Sequence, residues 1–362
     1  MIKSTGCSLF RSSLRPSFHI LSLYSTGPSN SNKPQHIKGN QMISQSAVTS
    51  KHQSKQKGNV FDRNAKRFQR ESLAKSKDFP VYQYVKEEFG YRMADRVWDI
   101  KRLFTNAVEL SSGGGFVSQH LTKEIVENIF LCDTSVSNLD RVKLPDDIYT
   151  SMVLADDEQL PFRDESIDIL MSSLSLHWVN KLPELFKEVN RCLIKDGVFL
   201  GALFGGQTLY ELRCSLQLAE NERLGGFAPH ISPFVEPTDI GALLNRAGFN
   251  LLTIDVEEMK VNYPSMFELI FDLQSMAESN VAWNRQSHLD RDSMLAAAAI
   301  YREVYGDSSG NVPATFQVVN FIGWKPDPSQ PKPARRGSAN VSFKDMDNLD
   351  SMVDNLKETK PS

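Results

Sequence analysis

The constraint that most limits the fold is an alternation of short apolar runs with amphipathic segments, in which the early runs end at a glycine loop or an acid. Ala107–Leu110, Ile129–Cys132, Ser151–Leu154, Ile167–Met171 and Val198–Phe204 read as strands. Between the last two, Leu182, Leu185, Phe186, Val189 and Leu193 recur at helical spacing. Strands apolar on both faces and separated by helices predict an α/β fold with a mostly parallel sheet covered on both sides. Asp196-Gly197 reads as a turn, and Gly248 as the left-handed stop of a helix over 239–247. Leu251–Val261 and Thr315–Trp324 read as two late strands, with helices at 265–278 and 290–304 between them, and are expected to form an antiparallel edge pair.

Charge divides the chain into regions. Residues 1–61 hold no Asp or Glu and eight basic residues, with Phe10, Leu14, Phe18 and Leu21 beside Arg11 and Arg15, the pattern of a mitochondrial transit peptide followed by a linker. The remainder carries 33 basic against 44 acidic residues, a formal charge of −11 that repels a nucleic-acid backbone and argues against such a partner. Cys7, Cys132, Cys192 and Cys214 are scattered and form no disulfide framework or zinc spacing, so no metal site is expected. No apolar run approaches a membrane span, which predicts at most peripheral membrane contact. Residues 62–325 are expected to form one domain opening with helices that could cover a ligand, and 326–362 a disordered tail.

The first strand runs into Glu109-Leu-Ser-Ser-Gly-Gly-Gly115, and a helix is expected to begin over Phe116–Leu121, its amides facing a polar ligand. Glycines alone make only a tight turn. Asp133, at the end of the second strand, is placed to accept hydrogen bonds from ribose hydroxyls, and Asp156, past the third, from an adenine amine. Loop and acids together point to a nucleoside ligand at the carboxyl ends of successive strands, with Gly113, Asp133 and Asp156 around one cavity. A nicotinamide-dinucleotide dehydrogenase is the competing reading, but a full G-x-G-x-x-G loop and a distinct substrate domain are not evident.

With these features the chain resembles the class I S-adenosylmethionine-dependent methyltransferases, a Rossmann-like fold with a seven-stranded sheet, and more closely the mitochondrial assembly factors of respiratory complex I (NADH:ubiquinone oxidoreductase) of the arginine-hydroxylase type. The most specific stretches are Leu154–Phe162, Ser172–Asn180, Phe204–Glu220, His230–Phe234, Glu278–Arg285 and Ala297–Glu303. The resemblance implies S-adenosylmethionine held by Glu109, Ser111, Gly113, Gly115, Asp133, Asp156 and Asp157, with the segment from Ser172 flanking the reacting end. It implies hydroxylation of an arginine on an iron–sulfur subunit during complex I assembly, in the matrix and peripheral to the inner membrane. A methyltransferase acting on a protein or a small carboxylic acid, similar to the methyl ester synthase of biotin synthesis, is one alternative; a non-catalytic assembly chaperone is another. Where the methyltransferases carry Asp-Leu-Gly-Cys-Gly-x-Gly, Ser111 here replaces the first glycine and adds a Cβ at a close-approach position.

Substrate contact is sought first at His177, Tyr210, Arg213, His230 and Arg285, with Trp178 and Trp283 beside them, although each has an ordinary structural role open to it. His288-Leu-Asp290 has the local spacing of a non-haem iron site, but no histidine follows to complete the set.

Overall fold

The structure is a computed structural model that describes residues 59–143, 147–286, 288–332 and 336–338. Most of the expected transit peptide and C-terminal tail therefore lies outside the described residues. Seven strands form one sheet: β1 (Phe104–Leu110), β2 (Val126–Asp133), β3 (Tyr149–Leu154), β4 (Ile167–Ser173), β5 (Leu193–Phe204), β6 (Asn250–Tyr263) and β7 (Val312–Trp324). Their order is β3-β2-β1-β4-β5-β7-β6. The first five pair in parallel, and β7 runs antiparallel to both β5 and β6. The late pair is thus antiparallel internally, with β7 alone reversed and β6 at the edge.

Period-2 burial sends alternate residues to opposite faces. Ala107, Ile169 and Val198 face one core layer, while their neighbours Val108, Leu170 and Phe199 face the other. The first layer is covered by α2 (Tyr84–Asp99), α5 (Tyr210–Leu224), α7 (Met266–Ser275) and α8 (Arg291–Tyr305). The second is covered by α4 (Leu182–Cys192), whose Leu185, Phe186 and Val189 are fully buried, and by α6 (Pro237–Ala247). Burying each of those side chains contributes roughly 1.5–3 kcal/mol. The expected stop of α6 is present, with Gly248 at φ 92° donating to Asn245 and Leu244 carbonyls.

Two local expectations are corrected. Asp196-Gly197 is a kink within continuous β5 rather than a turn before it, with Asp196 at φ 57° and a register shift in the β4–β5 ladder. No α-helix follows the glycine loop; a single 3-10 turn, Ser118–His120, stands there. Only five residues separate that turn from β2, too few to propagate a helix past its nucleus.

The chain enters the fold at Phe61, which packs edge-on against Trp178 at 5.4 Å and bridges to Ala282. Next comes α1 (Arg63–Ala74), capped by the Asp62 carboxylate, and it lies across the carboxyl tips of the sheet. At the far end Gln330 is still packed down, hydrogen-bonded to Asn250 and Asp196.

Candidate functional site

The site grows from the loop after β1. Gly113 and Gly115 adopt φ 56° and 75°, and a Cβ on either would sit 2.8 Å from the Phe116 ring or Val142. Ser111 holds the same left-handed backbone at φ 54°, so the serine stands where a glycine is conformationally favoured. Glu109 shapes the loop from beneath: its two carboxylate oxygens accept from the Val117 and Ser118 amides at 3.1 and 3.0 Å. Those amides would otherwise begin the expected helix. Burial pushes the Glu109 carboxyl up to about 7, against the loop amides that favour its charged form, and nearby Asp133 adds to the rise.

Asp133 ends β2 fully inside the cleft wall. One oxygen accepts from Gly113 N at 3.0 Å, the other from Ser135 N at 2.8 Å. Ser111, Gly113, Asp133, Asn138, Ser173, Ser175 and Lys86 line a cleft of about 430 Å³ between the glycine loop and the tip of β4. The hydroxyls of Ser112 and Ser173 are buried without a hydrogen-bond partner among the described residues. Ser172 is not in this cleft, because its hydroxyl ties β4 to the Leu110 carbonyl of β1.

Asp156 and Asp157 line a second, adjoining cleft of about 1180 Å³ with Thr134, Val136 and Leu154. The single cavity expected around Gly113, Asp133 and Asp156 is therefore two clefts, and Arg70 of α1 lines both. Arg63 pairs with Asp156 at 2.5 Å, and Arg70 donates to Ser175 at 2.6 Å and to Ser111 at 3.4 Å. Glu71 accepts from the Ser135 hydroxyl at 2.5 Å and also from that of Ser137. Asp157 is buried, which raises its pKa against the pull of Arg70; among the described residues one of its oxygens has no hydrogen-bond partner.

Behind the clefts lies a buried polar knot. Glu278 accepts from Trp178 Nε1 at 2.9 Å, meets His177 Nε2 at 3.2 Å, and pairs with Lys86 at 3.1 Å and Lys66 at 3.8 Å. The Lys66 ammonium also caps the Trp178 ring at 3.4 Å from its centroid. Burial works to raise the Glu278 pKa, but Lys66, Lys86 and His177 outweigh it and hold the carboxyl well below its usual range. Burial lowers the pKa of His177, whose Nδ1 has no hydrogen-bond partner among the described residues.

A protein from Danio rerio named "Arginine-hydroxylase NDUFAF5, mitochondrial" is 54% identical over 296 residues, covering 82% of this chain and 92% of its own length. The chain belongs to the NDUFAF5 arginine-hydroxylase family. The Homo sapiens protein of the same name is 52% identical over 298 residues, covering 82% of this chain and 85% of its own. A family model described as a methyltransferase domain matches residues 108–201. Among solved structures, the YcgJ protein of Bacillus subtilis is similar with a TM-score of 0.45 and 12% identity, covering 65% of this chain and 99% of that one.

In this NDUFAF5 family member, the side chains singled out for substrate contact are dispersed. His177 is enclosed by Trp178, Phe204 and Phe234. Tyr210 packs edge-on against Tyr305, and Arg213 donates to the Gly206 and Thr208 carbonyls. His230 pairs with Glu220 at 2.5 Å. Arg285 donates to the Val281 and Ala282 carbonyls and reaches Asp62, mooring the start of α1. Asp290 caps α8 through the Asp292 and Ser293 amides, and no group of three potential metal ligands occurs among the described residues. Sequence reasoning missed the cations of α1. Their signal was spacing: Arg63, Lys66 and Arg70 fall on one helical face.

Proposed function

We propose that this chain is a mitochondrial arginine hydroxylase that acts in the assembly of respiratory complex I and holds S-adenosylmethionine at the tips of β1, β2 and β3. The observation that carries the reading is the identity to NDUFAF5 arginine hydroxylases across four fifths of the chain. The site's chemistry supports the cofactor. Gly113 and Gly115 hold the loop in a left-handed conformation with no room for a Cβ against Phe116 and Val142, Asp133 sets a buried carboxylate beside it, and the orphaned Ser173 hydroxyl lines the same cleft.

In this reading Asp133 accepts from ribose hydroxyls, Asp156 from the adenine amine, and the loop from Ser111 to Gly115 receives the amino-acid end. Glu109 and Ser172 act from behind, one fixing the loop amides and the other locking β4 to β1. Asp157 lines the second cleft, 3.8 Å from Arg70, which lines both. Bound S-adenosylmethionine would supply an electrophilic methyl on a sulfonium, which the alternative methyl transfer would consume and hydroxylation of an arginine would not. The chain's own contribution is to orient ligands and exclude water from the junction beneath α1.

The residues ahead of Phe61 act as a mitochondrial presequence and linker, and those beyond Gln330 as a tail; the expected bounds at 62 and 325 shift because Phe61 and Gln330 are packed into the fold. No helix of the described residues is long and apolar enough to cross a membrane, which is consistent with a matrix protein touching the inner membrane peripherally.

Mass spectrometry of complex I subunits from cells with and without the protein tests the function. A gain of one oxygen on an arginine of an iron–sulfur subunit, dependent on the protein, is expected. A gain of one methylene would make it a methyltransferase, and no change a non-catalytic assembly chaperone. Calorimetric preference for NADH over S-adenosylmethionine would overturn the cofactor.

A further inference from the structure

The first helix carries a cation into the cleft between the glycine loop and the tip of β4. Two cationic side chains line that cleft, Arg70 and Lys86. The Lys86 ammonium is committed to the polar knot behind, pairing with Glu278 at 3.1 Å and donating to the Met276 carbonyl at 2.7 Å. Arg70 is only 11% exposed and has no such commitment. Its guanidinium donates to Ser175 Oγ at 2.6 Å and to Ser111 Oγ at 3.4 Å, and the carboxylate paired with it, Asp157, stays 3.8 Å away, beyond hydrogen-bond reach. A guanidinium has five donors in a planar fork that takes both oxygens of one carboxylate, and two hydroxyls leave that fork unfilled. The orphaned Ser173 hydroxyl lines the same cleft.

We propose that Arg70 receives the carboxylate at the amino-acid end of S-adenosylmethionine, so that α1 forms part of the cofactor site. The inference rests on the cofactor reading above and adds the side chain that meets this charge. The place agrees with that reading: Ser111 opens the loop assigned to the amino-acid end, Ser175 follows β4, and the guanidinium is bonded to both. The loop itself is short of donors for an anion. A helix N-terminus after a glycine loop turns free amides toward such a group, but here only a 3-10 turn follows and the Glu109 carboxylate takes the Val117 and Ser118 amides. A cation from elsewhere supplies what that helix would have given. Arg70 lies outside residues 108–201, which match the methyltransferase domain, and Ser111, standing where the methyltransferases carry glycine, provides one of the hydroxyls that hold the guanidinium in place.

Calorimetric titration of the full chain with S-adenosylmethionine and with its decarboxylated analogue, which lacks only that carboxylate, tests the assignment. The wild type is expected to bind S-adenosylmethionine about 10- to 100-fold tighter than the analogue, the range of a charge-assisted pair. Arg70→Ala should weaken S-adenosylmethionine while leaving the analogue nearly unaffected, shrinking the preference by about 10-fold or more. Arg70→Gln, which keeps most of the side chain's length but no charge, serves as the second variant and should lose the preference in the same way. A side chain that merely straps α1 to the sheet would move both affinities together, so a preference undiminished in the variants, or absent from the wild type, would overturn the assignment. The two readings fail separately: a wild type that binds no S-adenosylmethionine removes the cofactor and this contact with it, whereas binding with the preference intact in the variants removes the contact alone.

Discussion

Replacing Glu109 by glutamine isolates one buried ionisation in the frame of the site. In the fold its carboxyl is pushed up to about 7, against about 4.5 for an exposed glutamate, because burial outweighs the two loop amides that favour the charged form. For an acid whose folded pKa is raised, the fold prefers the protonated form. The stability it contributes is complete below about pH 4.5 and is lost as pH rises through 7. From those two pKa values, linkage gives a loss of about 2 to 3 kcal/mol between pH 5 and pH 8. Glutamine has no charge to desolvate. It keeps one acceptor for Val117 or Ser118 but turns an NH2 toward the other amide, a fixed cost of about 1–3 kcal/mol at every pH. Urea unfolding of both proteins at pH 5, 6.5 and 8 separates the two effects, because titrations of groups remote from Glu109 cancel in the difference. The Glu109→Gln protein should start less stable and gain about 2 to 3 kcal/mol on the wild type as pH rises. A difference that stays constant across the three pH values would refute the buried ionisation.

Further expectations follow from the same geometry. Gly113→Ala places a Cβ at φ 56° against the Phe116 ring and should cost about 1–2 kcal/mol, read as a lower Tm; an unchanged Tm would contradict the loop conformation. Asp133→Asn removes the carboxylate that faces Gly113 and Ser135, and calorimetry should show S-adenosylmethionine affinity falling about 10- to 100-fold, with retained affinity sinking the ribose assignment. Lys66→Met leaves Glu278 with Lys86, His177 and Trp178, so urea unfolding should register a loss of about 2–4 kcal/mol. Wild-type stability in that variant would mean that Lys86 alone satisfies the carboxylate.

The edge strand β6 showed only as an alternation of apolar and polar residues, whereas the interior strands β1, β4, β5 and β7 were legible because both sheet faces are buried there, which makes them largely apolar runs. The same holds for α4 and for the Gly248 stop, where local chemistry decides the structure. The loop after β1 was harder: Glu109 lies eight residues before Val117, and only the fold shows that its carboxylate takes the amides a helix would need. Asp133 stands beside Gly113 as its position suggested, while Asp156 is drawn into a neighbouring cleft by Arg63. Ser172 and Ser175 look alike in the sequence, yet Ser172 lies within β4 and bonds back to β1, while Ser175 follows the strand end and Leu174 at φ 45° and lines the cleft. The Glu278 knot was beyond reach, since its partners come from α1, α2 and the β4 tip and meet only through long-range packing.

The place of β7 in the sheet has a consequence for how the chain is made. Its last strand is interior, and β6 has no other partner. Until residue 324 is available, the open edges of β5 and β6 present bare backbone donors and acceptors, an invitation to misassociation. A premature stop ahead of residue 324 would therefore remove the keystone of the sheet, and nonsense or frameshift lesions that delete residues 312–324 should act as folding defects although the glycine loop at 111–115 is encoded intact far upstream.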